Sequence, residues 1–233
     1  MRSGVIVFPG SNCEHDVYHV LKHVLGQSTR YLWHKDQEIQ DCDLVVVPGG
    51  FSYGDYLRSG AVAAHSPILA AVRRHAEAGG LVLGICNGFQ ILQQANLLPG
   101  ALIHNRDLRF LCVDAWLQVE RADLPFTRGY HQGQVIRIPM AHGEGNFQAS
   151  EEQLDRLEAN GQVVFRYRID NANGSARAIA GIVNERGNVL GLMPHPERAA
   201  ESVLGNDDGL AFFAGLVESV AASATSGSPL EVA

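Results

Sequence analysis

Residues 81–92, LVLGICNGFQIL, decide how this 233-residue chain folds. Leu81, Val82, Leu83 and Ile85 form a short apolar run that reads as a buried strand. It breaks at Cys86 into a helix starting near Gly88, with Phe89, Ile91 and Leu92 turned inward. Glycine stands two residues before the cysteine and two after it, the pattern of a nucleophile elbow with sulfur in place of oxygen. A sharp strand-to-helix turn strains its central residue and packs its backbone closely, which glycine neighbours tolerate and a Cβ obstructs. The side chain at the turn is pushed out above the strand ends, beside the free N–H groups of the helix start, whose partial positive charge favours an anion. A thiolate so placed is a nucleophile if a base stands opposite. Without a base, Cys86 reads equally well as a small buried residue closing a strand.

Upstream of this stretch, strand and helix alternate. Residues 5–8 read as a buried strand, and Pro9, Gly10, Ser11 and Asn12 as a loop. A helix follows over about residues 13–25, with Asn12 as its N-cap and Val17, Val20, Leu21, Val24 and Leu25 as its inner stripe. Strands are expected at residues 29–33 and 44–47, the second ending in Pro48, Gly49 and Gly50. An alanine-rich helix over residues 60–78 stops at Gly79 and Gly80 and leads into the elbow strand. Units of this size wind a parallel sheet with helices on both faces, whose crevice lies at the carboxyl ends of the strands. The glycine-rich strand ends at residues 8–10 and 48–50 therefore border the edge where Cys86 emerges.

Downstream the character changes. Strands are expected at residues 113–120, 134–139, 163–169, 178–184 and 189–193, with turns at Asn173-Gly174 and Arg186-Gly187. They read as an antiparallel extension in the C-terminal half, with a short helix at residues 151–158 inserted. The fold class is thus α/β, a mostly parallel, doubly wound sheet with that extension. A last helix covers residues 207–220, giving one domain over residues 1–220. Residues 221–233, rich in Ala, Ser, Thr and Gly, have too little apolar content to fold and are expected as a flexible tail.

Composition narrows the function. A hydrophobic content of 46% supports a full core. The net charge of -7, without a Lys/Arg block, argues against nucleic acid or an anionic membrane as partner. No apolar run approaches a membrane span, and the N-terminal MRSGVIVFPG has too short an apolar core for a signal peptide. Cys13, Cys42, Cys86 and Cys112 are scattered singly, without metal-ligand spacing, which suits free thiols in a reducing cytoplasm and predicts no metal site. Neither G-x-x-x-x-G-K-[ST] nor G-x-G-x-x-G after a strand occurs, so the chain is expected to hold no ATP or dinucleotide cofactor of its own.

A base for Cys86 is found in Met193, Pro194, His195, Pro196 and Glu197. The prolines set their own φ and keep their predecessors extended, and in an extended segment positions i and i+2 share a side. His195 and Glu197 can then meet, the carboxylate accepting from one ring nitrogen and leaving the other as a base, as in a Cys-His-acid triad. By itself the tetrapeptide PHPE also suits a plain strand-ending turn. Acyl transfer further needs oxyanion donors, for which the N–H groups of Asn87 and Gly50 are the candidates.

Residues 84–90, GICNGFQ, together with residues 194–197, PHPE, resemble the triad, or class I, glutamine amidotransferases, which hydrolyse glutamine at a thiolate and pass the ammonia to a synthetase. The blocks FPGSNC at 8–13, PGGFSYGDYLRSG at 48–60, AHGEGN at 141–146 and NERGNVLG at 184–191 are similar to the branch of that family that serves purine biosynthesis. The similarity runs from about residue 5 to about residue 213, and it implies a flavodoxin-like core. It also implies Cys86 as nucleophile, His195 as base and Glu197 as orienting partner, with Gln90 and the loop 49–53, including Phe51, shaping a pocket for L-glutamine. The partners it implies are a synthetase subunit carrying the ATP, magnesium and ribonucleotide, and a small accessory subunit. Ser59 departs from the family, whose members often carry cysteine there. Two other readings stay open: a class I amidotransferase serving another synthetase, and a non-catalytic regulatory or chaperone-like Cys-elbow protein, for which His195 and Glu197 are dispensable. Residues 142–145, HGEG, read from residue types as a flexible loop, which the resemblance turns toward the substrate without assigning roles to His142 or Glu144. His19, His23, His65 and His75 lie on expected helices and read as surface residues.

Overall fold

Successive residues of a strand point to opposite faces of a sheet, and in this protein both faces are covered. The computed structural model describes residues 1–226. Along the chain the elements are β1 (Arg2–Val7), α1 (Glu14–His19), β2 (Ser28–Trp33), β3 (Leu44–Val47), α2 (Pro67–Glu77), β4 (Leu81–Ile85), α3 (Asn87–Gln94), β5 (Ala101–Ile103), β6 (Leu111–Val119), β7 (Val135–His142), β8 (Asn146–Gln148), α4 (Glu151–Ala159), β9 (Val163–Tyr167), β10 (Ile179–Val183), β11 (Val189–Leu192) and α5 (Leu210–Ser226). Nine strands form one sheet in the order β2-β1-β3-β4-β11-β10-β9-β6-β7. The first five pair in parallel, and the remaining pairs are antiparallel. Val5, Val46, Leu83 and Ile85 pack with Val17 of α1, with Leu21 just beyond it, and with Phe212, Phe213 and Leu216 of α5. Their strand neighbours Ile6, Val45, Val47 and Val82 pack on the other side with α2, α3 and α4, through Ile68, Val72, Phe89, Leu92, Leu154 and Leu157. This is a mostly parallel, doubly wound sheet with helices on both faces and an antiparallel extension.

Several elements differ from expectation, and β11 matters most. Read as part of the antiparallel extension, it pairs antiparallel with β10 but parallel with β4, placing Leu192 beside Ile85. A strand buried on both faces is a plain apolar run, which carries no sign of its direction or neighbour. The first helix is α-helical only to His19 and continues as a π-helix over Val20–Val24. Asn12 does not cap it: Cys13 occupies the N-cap, and its thiol donates to Asn12 Oδ1 at 3.1 Å. The long helix expected over 60–78 is regular only from Pro67, because a residue before proline is held extended, as Ser66 is with ψ 143°. The two strands β5 and β8, three residues each, pair as a separate ribbon and are too short to leave a pattern. His75 is half-buried, with Nε2 3.3 Å from the Leu81 carbonyl, and burial lowers its pKa.

The final helix runs to Ser226 instead of ending at Val220. Ala221 and Ala222 have the highest helix propensity of any residue, which offsets their small apolar area. Thus the first six residues of the expected tail are helical, while residues 227–233 lie outside the described residues. Among the described residues no helix is long and apolar enough to cross a membrane. All four cysteines are free.

Candidate active site

Two neighbouring strands deliver the reactive groups. β4 ends in Cys86, whose φ of 52° and ψ of -108° form a strained turn for a residue with a Cβ. Close packing holds the turn: a Cβ on Gly88 would run into the Val47 carbonyl oxygen at the end of β3. The cysteine is only 6% exposed. β11 ends beside it and continues into Met193, Pro194 and His195, pinned by bonds from Met193 N to the Ala180 carbonyl (3.0 Å) and from His195 N to the Pro139 carbonyl (2.7 Å). Glu197 then meets His195 as expected, Oε1 lying 2.6 Å from Nδ1. The means differ from the extended segment foreseen, because Pro196–Arg198 is a 3-10 turn that brings the carboxylate back under the ring.

This pair is buried, with the His195 and Glu197 side chains 1% and 0% exposed. When Nδ1 donates to Glu197, Nε2 is left as a lone-pair acceptor; it makes no hydrogen bond in this geometry and has the Cys86 sulfur as its neighbour. Burial opposes charge on the imidazole, but Glu197 and Cys86 outweigh it and raise the His195 pKa to about 10. Gly49 is required by the same contact, since a Cβ there would lie 2.7 Å from His195 Cε1 and 3.4 Å from Cys86 Cβ. Glu197→Gln removes the charge that sustains the imidazolium while leaving the burial. The His195 pKa is therefore expected to fall from about 10, with only the Cys86 sulfur left to oppose the burial. NMR titration of the ring checks this, and an unmoved value would place the source of the shift elsewhere.

A cavity of about 210 Å³ opens over Cys86 and His195. A larger hollow of about 510 Å³, lined by Glu77, Asn96 and Arg186, lies beside the opposite ends of β4 and β11 and contains none of these groups. Gly50 lines the cavity over the cysteine, and Asn87 is the first residue of α3. Neither backbone N–H is a donor in the loop and turn hydrogen bonds here. The Asn87 side chain ties the elbow to the next loop, accepting from Ser52 N (3.1 Å) and donating to Asp55 Oδ1 (3.0 Å) and Gln90 Oε1 (2.9 Å). Gln90 lines the cavity, with Nε2 donating one N–H to the Glu144 carbonyl at 2.6 Å. It braces the wall. Phe51 stands at the rim, 48% exposed, whereas Tyr53 turns away to His34 and Ser66.

The loop 142–145 is part of this wall. His142 is buried, with Nδ1 3.0 Å from Asn105 Oδ1. Burial and the charge of His195 lower its pKa to about 4, which keeps it neutral. Glu144 and Ser59 also line the cavity. Three other groups there escaped the sequence: Cys13, Arg198 and Asp55. Cys13 Sγ accepts from Arg198 Nη2 at 2.8 Å, and burial together with the Glu197 charge pushes its thiol up to about 12. Donor atoms of Cys13, His195 and Glu197 all lie within 4.8 Å of one another, with the Cys13 sulfur held by Arg198 and the His195 ring by Glu197. Ligand spacing along a chain cannot reveal groups gathered from its two ends. The available signals were position alone: Cys13 follows the glycine-rich end of β1, and Arg198 follows Glu197.

A thiol, an imidazole and a carboxylate at the carboxyl edge of a doubly wound sheet define a Cys-elbow hydrolase or transferase. The chain belongs to the CobB/CobQ-like glutamine amidotransferase domain family, matched over residues 1–208. It is 62% identical over 222 residues to phosphoribosylformylglycinamidine synthase subunit PurQ of Synechococcus elongatus, covering 95% of this chain and 100% of that one. It is 57% identical to the subunit of the same name from Trichormus variabilis, over 96% of this chain and 100% of that one. Among solved structures, a chain of PurLQS from Thermotoga maritima superposes with a TM-score of 0.87 at 45% identity, covering 94% and 98% of the two chains. The glutaminase domain of Trypanosoma brucei CTPS with bound acivicin shares the fold, with a TM-score of 0.61 at 13% identity and 94% of each chain covered.

Proposed function

We infer that this chain is the glutaminase subunit of phosphoribosylformylglycinamidine synthase, a glutamine amidotransferase in an ATP-dependent ligase. The observation that carries the reading is identity of 62% with a PurQ subunit over that subunit's whole length, and the likeness to a PurLQS chain supports assembly with a synthetase. In the proposed chemistry, His195 Nε2 takes the Cys86 proton and the thiolate attacks the carboxamide carbon of L-glutamine. The N–H groups of Gly50 and Asn87 receive the oxyanion, each worth about 3 kcal/mol of barrier. The imidazolium, held by Glu197, gives its proton to the leaving nitrogen, and ammonia departs from a glutamyl thioester. A water molecule, deprotonated by the same ring, attacks the thioester; glutamate leaves and the thiol is restored.

Ammonia protonates readily in water near neutral pH, so a partner that takes it directly avoids waste. That partner would use ATP and magnesium to convert formylglycinamide ribonucleotide to formylglycinamidine ribonucleotide, with a small accessory subunit in the same complex. This chain would need no cofactor and would work in the cytoplasm. Mixing it with the synthetase subunit tests the reading. Glutamine-dependent amidine formation is expected, together with a roughly tenfold or greater rise in glutamine hydrolysis over the isolated chain. Equal hydrolysis with and without the partner, and no amidine formed, would remove the support for this assignment.

A further inference from the structure

L-Glutamine arrives as a zwitterion, with its α-ammonium some bonds away from the carboxamide. The unpartnered, buried Nε2 of His195 marks the end of the cavity where the amide reacts. The other polar groups on that wall include two carboxylates, Asp55 and Glu144, which act on each other by charge. Glu144 lies 3.5 Å from His104 Nδ1, and Arg198, the guanidinium on this wall, is taken by Asp16 and Cys13. Asp55 has hydrogen bonds but no cationic partner among the described residues: Asn87 Nδ2 donates to Oδ1 at 3.0 Å, and the Ser59 hydroxyl and Gly60 N–H assist. Burial, opposed by those bonds and reinforced by Glu144, raises its pKa. A half-buried carboxylate held by Asn87 but lacking a counter-ion is costly until a cation arrives. The orienting residue is also informative. Asn87 holds Asp55 with its side chain and offers its backbone N–H beside Cys86, so a single residue spaces the two ends of a bound substrate.

We propose that Asp55 recognises the α-ammonium of the substrate, so that the site selects an α-amino amide over an amide lacking the amino group. This rests on the glutaminase reading of the cavity. The test compares L-glutamine with 4-carbamoylbutanoate, which keeps the amide and carboxylate but has no amino group, in the complex reconstituted with the synthetase. Wild type is expected to prefer glutamine on the order of a hundredfold in kcat/KM, the size of a buried charged contact. Asp55→Asn keeps an acceptor for Asn87 but loses the charge. The KM for glutamine should rise roughly thirtyfold, kcat/KM for 4-carbamoylbutanoate should change far less, and most of the preference should vanish. Asp55→Glu, which retains the charge, should restore at least part of it. Equal losses on both substrates would reduce Asp55 to a brace for the loop and overturn the proposal, as would an unchanged preference in Asp55→Asn. Should the wild-type complex hydrolyse no glutamine at all, the glutaminase reading itself would fall and take this assignment with it.

Discussion

Cys86→Ala is expected to abolish glutamine-driven synthesis in the reconstituted complex, by roughly 10⁴-fold or more, while ammonia-driven synthesis continues. The thiolate has no substitute. Cys13, the other thiol on the cavity wall, is pushed up to about 12 and its sulfur is engaged by Arg198, so it is neither ionised nor free at neutral pH. Alanine also keeps the Cβ that the strained turn already accommodates at φ 52°, and the fold should survive. Amidine formation measured first with glutamine and then with an ammonium salt separates the two activities. Loss of both would show that Cys86 supports the assembly and not the chemistry, and glutamine-driven synthesis above about a hundredth of wild type would rule it out as nucleophile.

Gly88→Ala should be the most damaging methyl added at any glycine among the described residues. The added Cβ would meet the Val47 carbonyl oxygen, and both sides of that clash are backbone, so no side chain can swing aside. Either α3 lifts off the end of β3 or the β3 turn opens, at roughly 3–5 kcal/mol, which for a chain of this size lowers the melting temperature by about 6–20 °C. Gly79→Ala is the control. Its φ of +90° is also unfavourable for alanine, but nothing lies within 4 Å of the new methyl. Only about 1–2 kcal/mol of backbone strain is expected there. Thermal melts of the two variants check the difference, and equal melting temperatures would mean that elbow packing adds nothing beyond local conformation.

What was legible in the sequence was local. The elbow shows because glycines two residues either side of Cys86 carry its geometry in five positions, and His195 finds Glu197 within a single turn. The doubly wound half was readable from apolar runs separated by glycine. What stayed hidden was non-local. Nothing in the run Val189, Leu190, Gly191, Leu192 says that it lies parallel to β4, and Cys13 and Asp55 gave no pattern because their partners lie far along the chain. Gln90 lines the cavity, and the bonds it makes to Asn87 and Glu144, 3 and 54 residues away, use one acceptor site and one N–H of its amide. The capping box at the start of α4, Ser150 with Gln153, shows the opposite case, where short-range chemistry makes an expected helix form where it was placed.

The seating of β11 against β4 has an effect on timing. A ribosome makes Cys86 about a hundred residues before it makes the histidine that activates it, and until the late strand slots into the middle of the sheet the two never meet. A nascent or truncated polypeptide therefore carries the sulfur but is chemically idle toward the cell's glutamine. Completion of folding is itself the safety catch on the nitrogen supply.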